Sequence, residues 1–226
     1  IRRPPRSTLD RSSAASDVYK RQIYDFPPPG IPDRGGTVKE LTLVPRPLYP
    51  YETWQAITSP PTLEQVPRRG WGGVFWNNHP TFLTERWSRF AEVYEEAHGR
   101  ELARGEKRML VLCTRVEDTR EEAVEKLRPG HDEFWKFLGP YGWSKGYMGA
   151  DGRPAPAGLV PTLEESIDQR IFLPGSPEDL ADSIGWYRDL VGVEDLLLFP
   201  GMPGDSYDVV EEQMARLAEE VLPLLS

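Results

Sequence analysis

From about residue 51 onward, short apolar runs alternate with amphipathic helical stretches, and this alternation limits the possible folds more than any other feature. Trp54–Ile57, Gly73–Trp76, Arg108–Val116 and Asp195–Phe199 are apolar runs of strand length. After the first, Ser59-Pro60-Pro61-Thr62 opens a helix that runs to about Arg69. Between about Thr84 and His98, the residues Trp87, Phe90, Ala91, Tyr94 and Ala97 recur at three- and four-residue spacing, which predicts one helical face. Thr119 and Glu122 read as a capping box. Ser176-Pro177-Glu178-Asp179 opens a helix with Leu180, Ile184 and Tyr187 inward. From about Tyr207, a stripe of Val210, Met214, Leu217, Val221 and Leu225 predicts the last helix. Strands without in/out alternation are buried on both faces, as in a parallel sheet covered by helices. Four strand–helix units make half of an eight-unit barrel, which takes roughly 250 residues. The other possibility is a complete small α/β domain.

Composition narrows the function classes. Of 226 residues, 38 % are hydrophobic and 28 % charged, with mean hydropathy −0.53, which is the balance of a globular chain. No apolar run approaches the roughly 20 residues that span a bilayer, so no membrane partner is expected. The net charge of −9 argues against nucleic-acid partners, which call for clustered Lys and Arg. The single cysteine, Cys113, directly succeeds the apolar residues Met109–Leu112 and reads as a small buried apolar residue in a reducing, cytoplasmic setting. No His/Cys/carboxylate set has metal-ligand spacing, so no metal is expected.

The first 22 residues differ from the rest. They are Ser-rich, have no periodicity, and hold six basic and two acidic residues; the remainder carries 21 basic and 34 acidic, or −13. Residues 1–22 read as a non-native or disordered leader, similar to translated sequencing-adaptor text. Residues 23–50 form a Pro/Gly-rich excursion with one extended segment, Thr37 to Val44, ended by Pro45 and Pro47.

Two stretches carry a family resemblance. Leu43-Val44-Pro45-Arg46-Pro47 followed by Trp54–Pro60 is one. The other is Gly175–Leu180, then Glu194–Gly204, then Ala218-Glu219-Glu220-Val221-Leu222-Pro223. In this order they resemble the luciferase-like flavin-dependent monooxygenases, over about Leu43 to Leu225. The resemblance implies a (β/α)8 barrel entered near its fifth strand, with residues 51–226 as the C-terminal half. It implies an enzyme that takes reduced FMN from a flavin reductase and uses dioxygen to oxygenate a small organic substrate. The same resemblance admits a deazaflavin-dependent hydride-transfer dehydrogenase. A rival of another class is a non-catalytic half-barrel whose unpaired strand edges bind a partner or a second copy of the chain.

Candidate site residues lie where strands end. Thr58-Ser59-Pro60-Pro61-Thr62 places hydroxyls at a helix N-terminus, whose free N–H groups and partial positive charge suit a phosphate; an ordinary cap is the plain alternative. The resemblance implies that the phosphate is that of FMN, bound by Thr58, Ser59 and Thr62. Asn77 and Asn78 could bond a flavin edge, and His79 could exchange a proton near neutral pH; Asn-Asn-His-Pro is also ordinary turn chemistry. The aromatic loop with Trp143 and Tyr147, and Met202 in the Gly/Pro-rich turn after the last strand, are candidates for the substrate pocket. His98 and His131 read as solvated, as does the acidic run Glu117 to Glu125.

Overall fold

The computed structural model describes residues 30, 32–33, 36–37, 49–76 and 78–225. The chain divides into two compact units, residues 1–51 and 52–226. In the first, the described residues form a two-residue antiparallel pairing of β1 (Pro32–Asp33) with β2 (Gly36–Thr37). The leader and most of the Thr37–Val44 segment lie outside the described residues.

The second unit is an α/β layer structure with a parallel sheet, the arrangement of part of a (β/α)8 barrel. β3 (Trp54–Ala56) pairs with β4 (Gly72–Phe75), β4 with β5 (Arg108–Val116), and β5 with β7 (Asp195–Phe199), all parallel. The four expected strands therefore lie side by side in the expected order. A fifth, β6 (Phe172–Gly175), pairs with the far end of β5, from Cys113 to Val116. It corrects the count of four. All four of its residues are buried, but Pro174-Gly175 has the composition of a turn, and only Phe172 and Leu173 carry a strand signal.

Helices α1 (Pro60–Arg68), α2 (Pro80–His98), α3 (Arg120–Leu138), α4 (Leu163–Asp168), α5 (Pro177–Val191) and α6 (Tyr207–Arg216) connect or flank the strands. Most begin as their sequences dictate. Ser59, Thr162 and Ser176 each accept from the backbone N–H three residues on and are bonded in return by that residue's side chain. Gly72 lets a side chain of β3, and Gly73 one of α2, pack directly on the backbone of β4. A Cβ on Gly72 would stand 2.3 Å from the Trp54 ring, and one on Gly73 2.6 Å from the Phe90 ring. One core gathers Phe75, Leu83, Trp87, Phe90 and Tyr187. A second gathers Cys113, Phe134, Trp135, Tyr147 and Phe172. Burial in the second core pushes the Cys113 thiol up to about 12, in keeping with an inert apolar role. No helix among the described residues is long and apolar enough to cross a membrane.

Four sequence expectations need correction. α2 starts at Pro80, because His79 caps it and proline suits the first turn; Ala97 is exposed while Leu83 and Val93 are buried. In α6, Met214 is 58 % exposed and Gln213 is buried in its place, since the amide of Gln213 bonds both backbone groups of Val116. Glu117 is not on a solvated face: it is buried against Arg115, Lys126 and Arg216.

His131 is the fourth. It is fully buried, with Nε2 2.7 Å from Ser166 Oγ and its ring edge-on to Phe172. Ser166 Oγ also meets Tyr147 Oη at 2.8 Å. Burial holds the imidazole below its ordinary value, only partly opposed by Asp132 at its Nδ1. With the folded value below the unfolded one, stability is full above pH ~6.5 and falls as pH drops from there toward the folded value. Urea midpoints at pH 7.5 and 5.5 should differ less in His131→Gln than in the parent chain. Equal pH slopes in both would remove His131 as the cause.

Candidate active site

A cavity of about 320 Å³ opens at the C-terminal ends of β3 and β4, the end of a parallel barrel where ligands bind. Its floor is made by the ends of these two strands and the residues just past them: Ala56, Ile57, Thr58, Val74 and Trp76. Asn78 and Arg86, from the turn before α2 and from its second turn, make one side. The opposite side is the loop after α3, with Tyr141, Trp143 and Lys145.

Aromatic packing fixes the wall. Trp76 lies in a ring cluster, stacked on Phe199 at 5.5 Å and edge-on to Trp143 at 5.2 Å and to Phe134 at 5.7 Å. Asn78 is buried; its Nδ2 donates to Trp76 O at 2.6 Å, and its Oδ1 accepts from Arg86 Nη1. Both functional atoms of the amide thus hold other groups in place. Burial pulls the Arg86 guanidinium below its ordinary value, with Glu85 acting the other way.

The structure brings Thr58, Asn78 and Trp143 together around this cavity. Asn77 lies outside the described residues. Ser59 and Thr62 sit beside the cavity but bond each other. The N–H groups of Thr58 and Ser59 both donate to Thr62 Oγ1, at 3.2 and 3.0 Å. Thr62 N–H donates to Ser59 Oγ at 3.4 Å, and Pro60 and Pro61 have no N–H. Every backbone donor of this turn is engaged or missing. In this conformation the α1 N-terminus does not fit a phosphate; of the expected hydroxyls only that of Thr58 lines the cavity.

His79 caps α2 instead of lining the cavity. Its Nδ1 accepts from Thr81 N–H at 3.2 Å, and its backbone N–H donates to Gly146 O at 2.7 Å. Burial holds its imidazole below the ordinary value. Tyr147 and Met202 are buried in the second core and do not line the cavity. Arg86 and Lys145 were not singled out in the sequence. Arg86 stands four residues after Phe82, itself buried, and next to Trp87; a cation beside an apolar stripe was the available signal.

No family model and no curated protein matches this chain. Solved structures do. One is a type II Baeyer-Villiger monooxygenase, the oxygenating constituent of 3,6-diketocamphane monooxygenase from the CAM plasmid of Pseudomonas putida, in complex with FMN. It matches at 18 % identity and TM-score 0.59, covering 91 % of this chain and 53 % of its own. The monooxygenase RslO1 from Streptomyces bottropensis matches at 16 % and 0.59, covering 77 % and 48 %. An F420-dependent secondary alcohol dehydrogenase, in complex with an F420-acetone adduct, matches at 13 % and 0.51, covering 84 % and 53 %. The shared fold is a parallel α/β barrel, present here in part. The chain spans about half the length of these neighbours.

Proposed function

We propose that this chain supplies one wall of the site of a flavin-dependent oxidoreductase, a monooxygenase that uses reduced FMN and dioxygen on a small organic substrate. The observation that carries this reading is the aromatic-walled, cation-rimmed cavity at the C-terminal ends of β3 and β4. The volume is at the small end of ligand pockets, which run roughly 300–1,000 Å³. Two of the fold neighbours are monooxygenases, one of them holding FMN.

On this reading the flavin supplies the oxygen-transfer chemistry, and a flavin reductase delivers it reduced. The chain's own residues bind and exclude water. Trp76 and Trp143 present apolar faces, Thr58 offers a hydroxyl, and Asn78 holds Arg86 at the rim. His79 acts through its place at the start of α2, with Nε2 the ring nitrogen left to exchange a proton. The likeness to the F420-dependent dehydrogenase supports a second reading, hydride transfer with a deazaflavin and no oxygen.

Titrating the chain with FMN, anaerobically reduced FMN and F420, while following tryptophan emission, tests both. Saturable quenching that weakens in Trp143→Leu is expected for one flavin type, and which type quenches decides between the readings. Because the neighbours are about twice as long, binding without turnover is expected of these 226 residues. Oxygen uptake above the rate of free reduced FMN would overturn the one-wall assignment. Absence of quenching by all three flavins would overturn the flavin reading.

A further inference from the structure

Among the described residues, two cations line the cavity and no carboxylate does. The chain carries −9 overall, yet the lining holds Arg86 and Lys145 without a single Asp or Glu. Other arginine heads are compensated in one of two ways: Arg89 meets Glu64, Glu92 and Glu96, Arg100 meets Glu106, and Arg216 meets Asp118 and Glu220, whereas the buried Arg108 donates to three backbone carbonyls, those of Trp87, Ala103 and Glu106. Among the described residues, neither Arg86 nor Lys145 has an ion-pair partner. Arg86 is half-buried, and the one bond its head makes among the described residues is to the neutral amide oxygen of Asn78. A guanidinium has five N–H donors in a rigid fork, and the bond to Asn78 engages one of them.

A partly desolvated charge is unfavourable unless something of opposite sign meets it. Here the described residues provide no ion pair, only the pull of the neighbouring Glu85, and a neutral amide holds the guanidinium in place. Asn78 uses its Nδ2 to brace on Trp76 O and its Oδ1 to fix Arg86, so the rim cation and the ring wall are positioned by one side chain.

We propose that Arg86, fixed by Asn78 and assisted by Lys145, binds the anionic group of a ligand whose flat or apolar body lies against Trp76 and Trp143. The ligand class is a planar or apolar carboxylate or phosphate ester. The fork of Arg86 matches either group through two parallel hydrogen bonds. This inference deepens the flavin reading and rests on it only for the choice between two sources of the anion: the cofactor's phosphate, or a carboxylate on the substrate.

The test compares the parent chain with Arg86→Gln and Arg86→Lys, using tryptophan emission as readout and thermal melts to confirm folding. The probes are FMN, riboflavin (the same rings without phosphate), benzoate and inorganic phosphate. Loss of one charge-assisted bond should weaken an anionic probe roughly tenfold or more in Arg86→Gln, with part of the affinity restored in Arg86→Lys. Riboflavin should be unaffected. If the cofactor's phosphate is the anion, the preference for FMN over riboflavin disappears in Arg86→Gln. If it is a substrate carboxylate, benzoate weakens and FMN does not. Benzoate or phosphate binding that depends on Arg86, with no flavin binding, would sustain the anion site and sink the flavin reading. Flavin binding that is equal in all three chains, with no anion responding to Arg86, would do the reverse. A folded parent chain that binds none of the probes overturns both.

Discussion

Glu117→Leu is expected to destabilise the second unit by about 3–5 kcal/mol, because it strands a buried arginine without its partner. Glu117 and Arg115 side chains are 3 % and 8 % exposed, and Arg115 Nε donates to Glu117 Oε1 at 2.7 Å. Glu117 Oε2 meets Lys126 Nζ at 2.7 Å and lies 3.7 Å from Arg216. Among the described residues the one other carboxylate paired with Arg115 is Asp205, at 3.6 Å, too far for a good hydrogen bond. A surface pair would contribute at most about 1 kcal/mol; the difference here is that leucine leaves the Arg115 charge in a site closed to water. Removing both charges together, in Arg115→Met with Glu117→Leu, should recover much of the loss, since a buried pair is often replaceable by apolar side chains of similar volume. Urea unfolding of the four chains of this cycle measures both numbers. A loss below about 1 kcal/mol in Glu117→Leu would mean that Arg115 finds water or Asp205, and that the pair behaves like one on the surface.

The same segment shows where the sequence is legible and where it is not. β3, β4, β5 and β7 were readable because each is a run of apolar residues followed by a helix signal, and a parallel sheet needs both. β6 was not, because half of it is Pro174-Gly175 and its pairing is set by the long strand beside it. Thr58, Asn78 and Trp143 could be placed near one another because each follows a strand or sits in an aromatic loop without periodicity. Tyr147 and Met202 share those loops yet point into the second core, where Tyr147 bonds Ser166 and Met202 packs on Gly130. Loop composition does not encode which way a side chain turns. Polar residues at inward positions were the main loss. Glu117 and His131 read as solvent-facing, and Arg86 and Gln213 gave no signal at all, because a hydropathy pattern cannot see the hydrogen-bond partner that makes burial possible.

Gln213→Leu should lower unfolding free energy by about 2–5 kcal/mol, although leucine fits the apolar stripe of α6 better than glutamine does. Val116 is the last residue of β5. Its N–H donates to Gln213 Oε1 and its carbonyl accepts from Gln213 Nε2, both at 2.8 Å. The side-chain amide thus stands in for the peptide group of a neighbouring strand. Leucine gains some apolar burial, worth at most about 1.5–3 kcal/mol for a whole side chain, but Gln213 is already 1 % exposed, so little new area is removed from water. Against that small gain stand two buried backbone groups with no partner, each costing about 1–3 kcal/mol. Gln213→Glu separates the two bonds. It keeps an acceptor for the Val116 N–H, cannot donate to the carbonyl when ionised, and brings a second negative charge toward Glu117, whose Oε1 lies 3.5 Å from Gln213 Nε2. It should therefore be destabilised at neutral pH and partly recover in mild acid, where a protonated carboxyl can donate again. Hydrogen exchange gives the local readout: the Val116 amide should lose protection in Gln213→Leu while the Leu112 amide, inside the β5–β7 ladder, keeps its own. If the leucine chain unfolds at the same urea concentration as the parent, the end of β5 is solvated rather than clamped, and the burial of Gln213 has no energetic role.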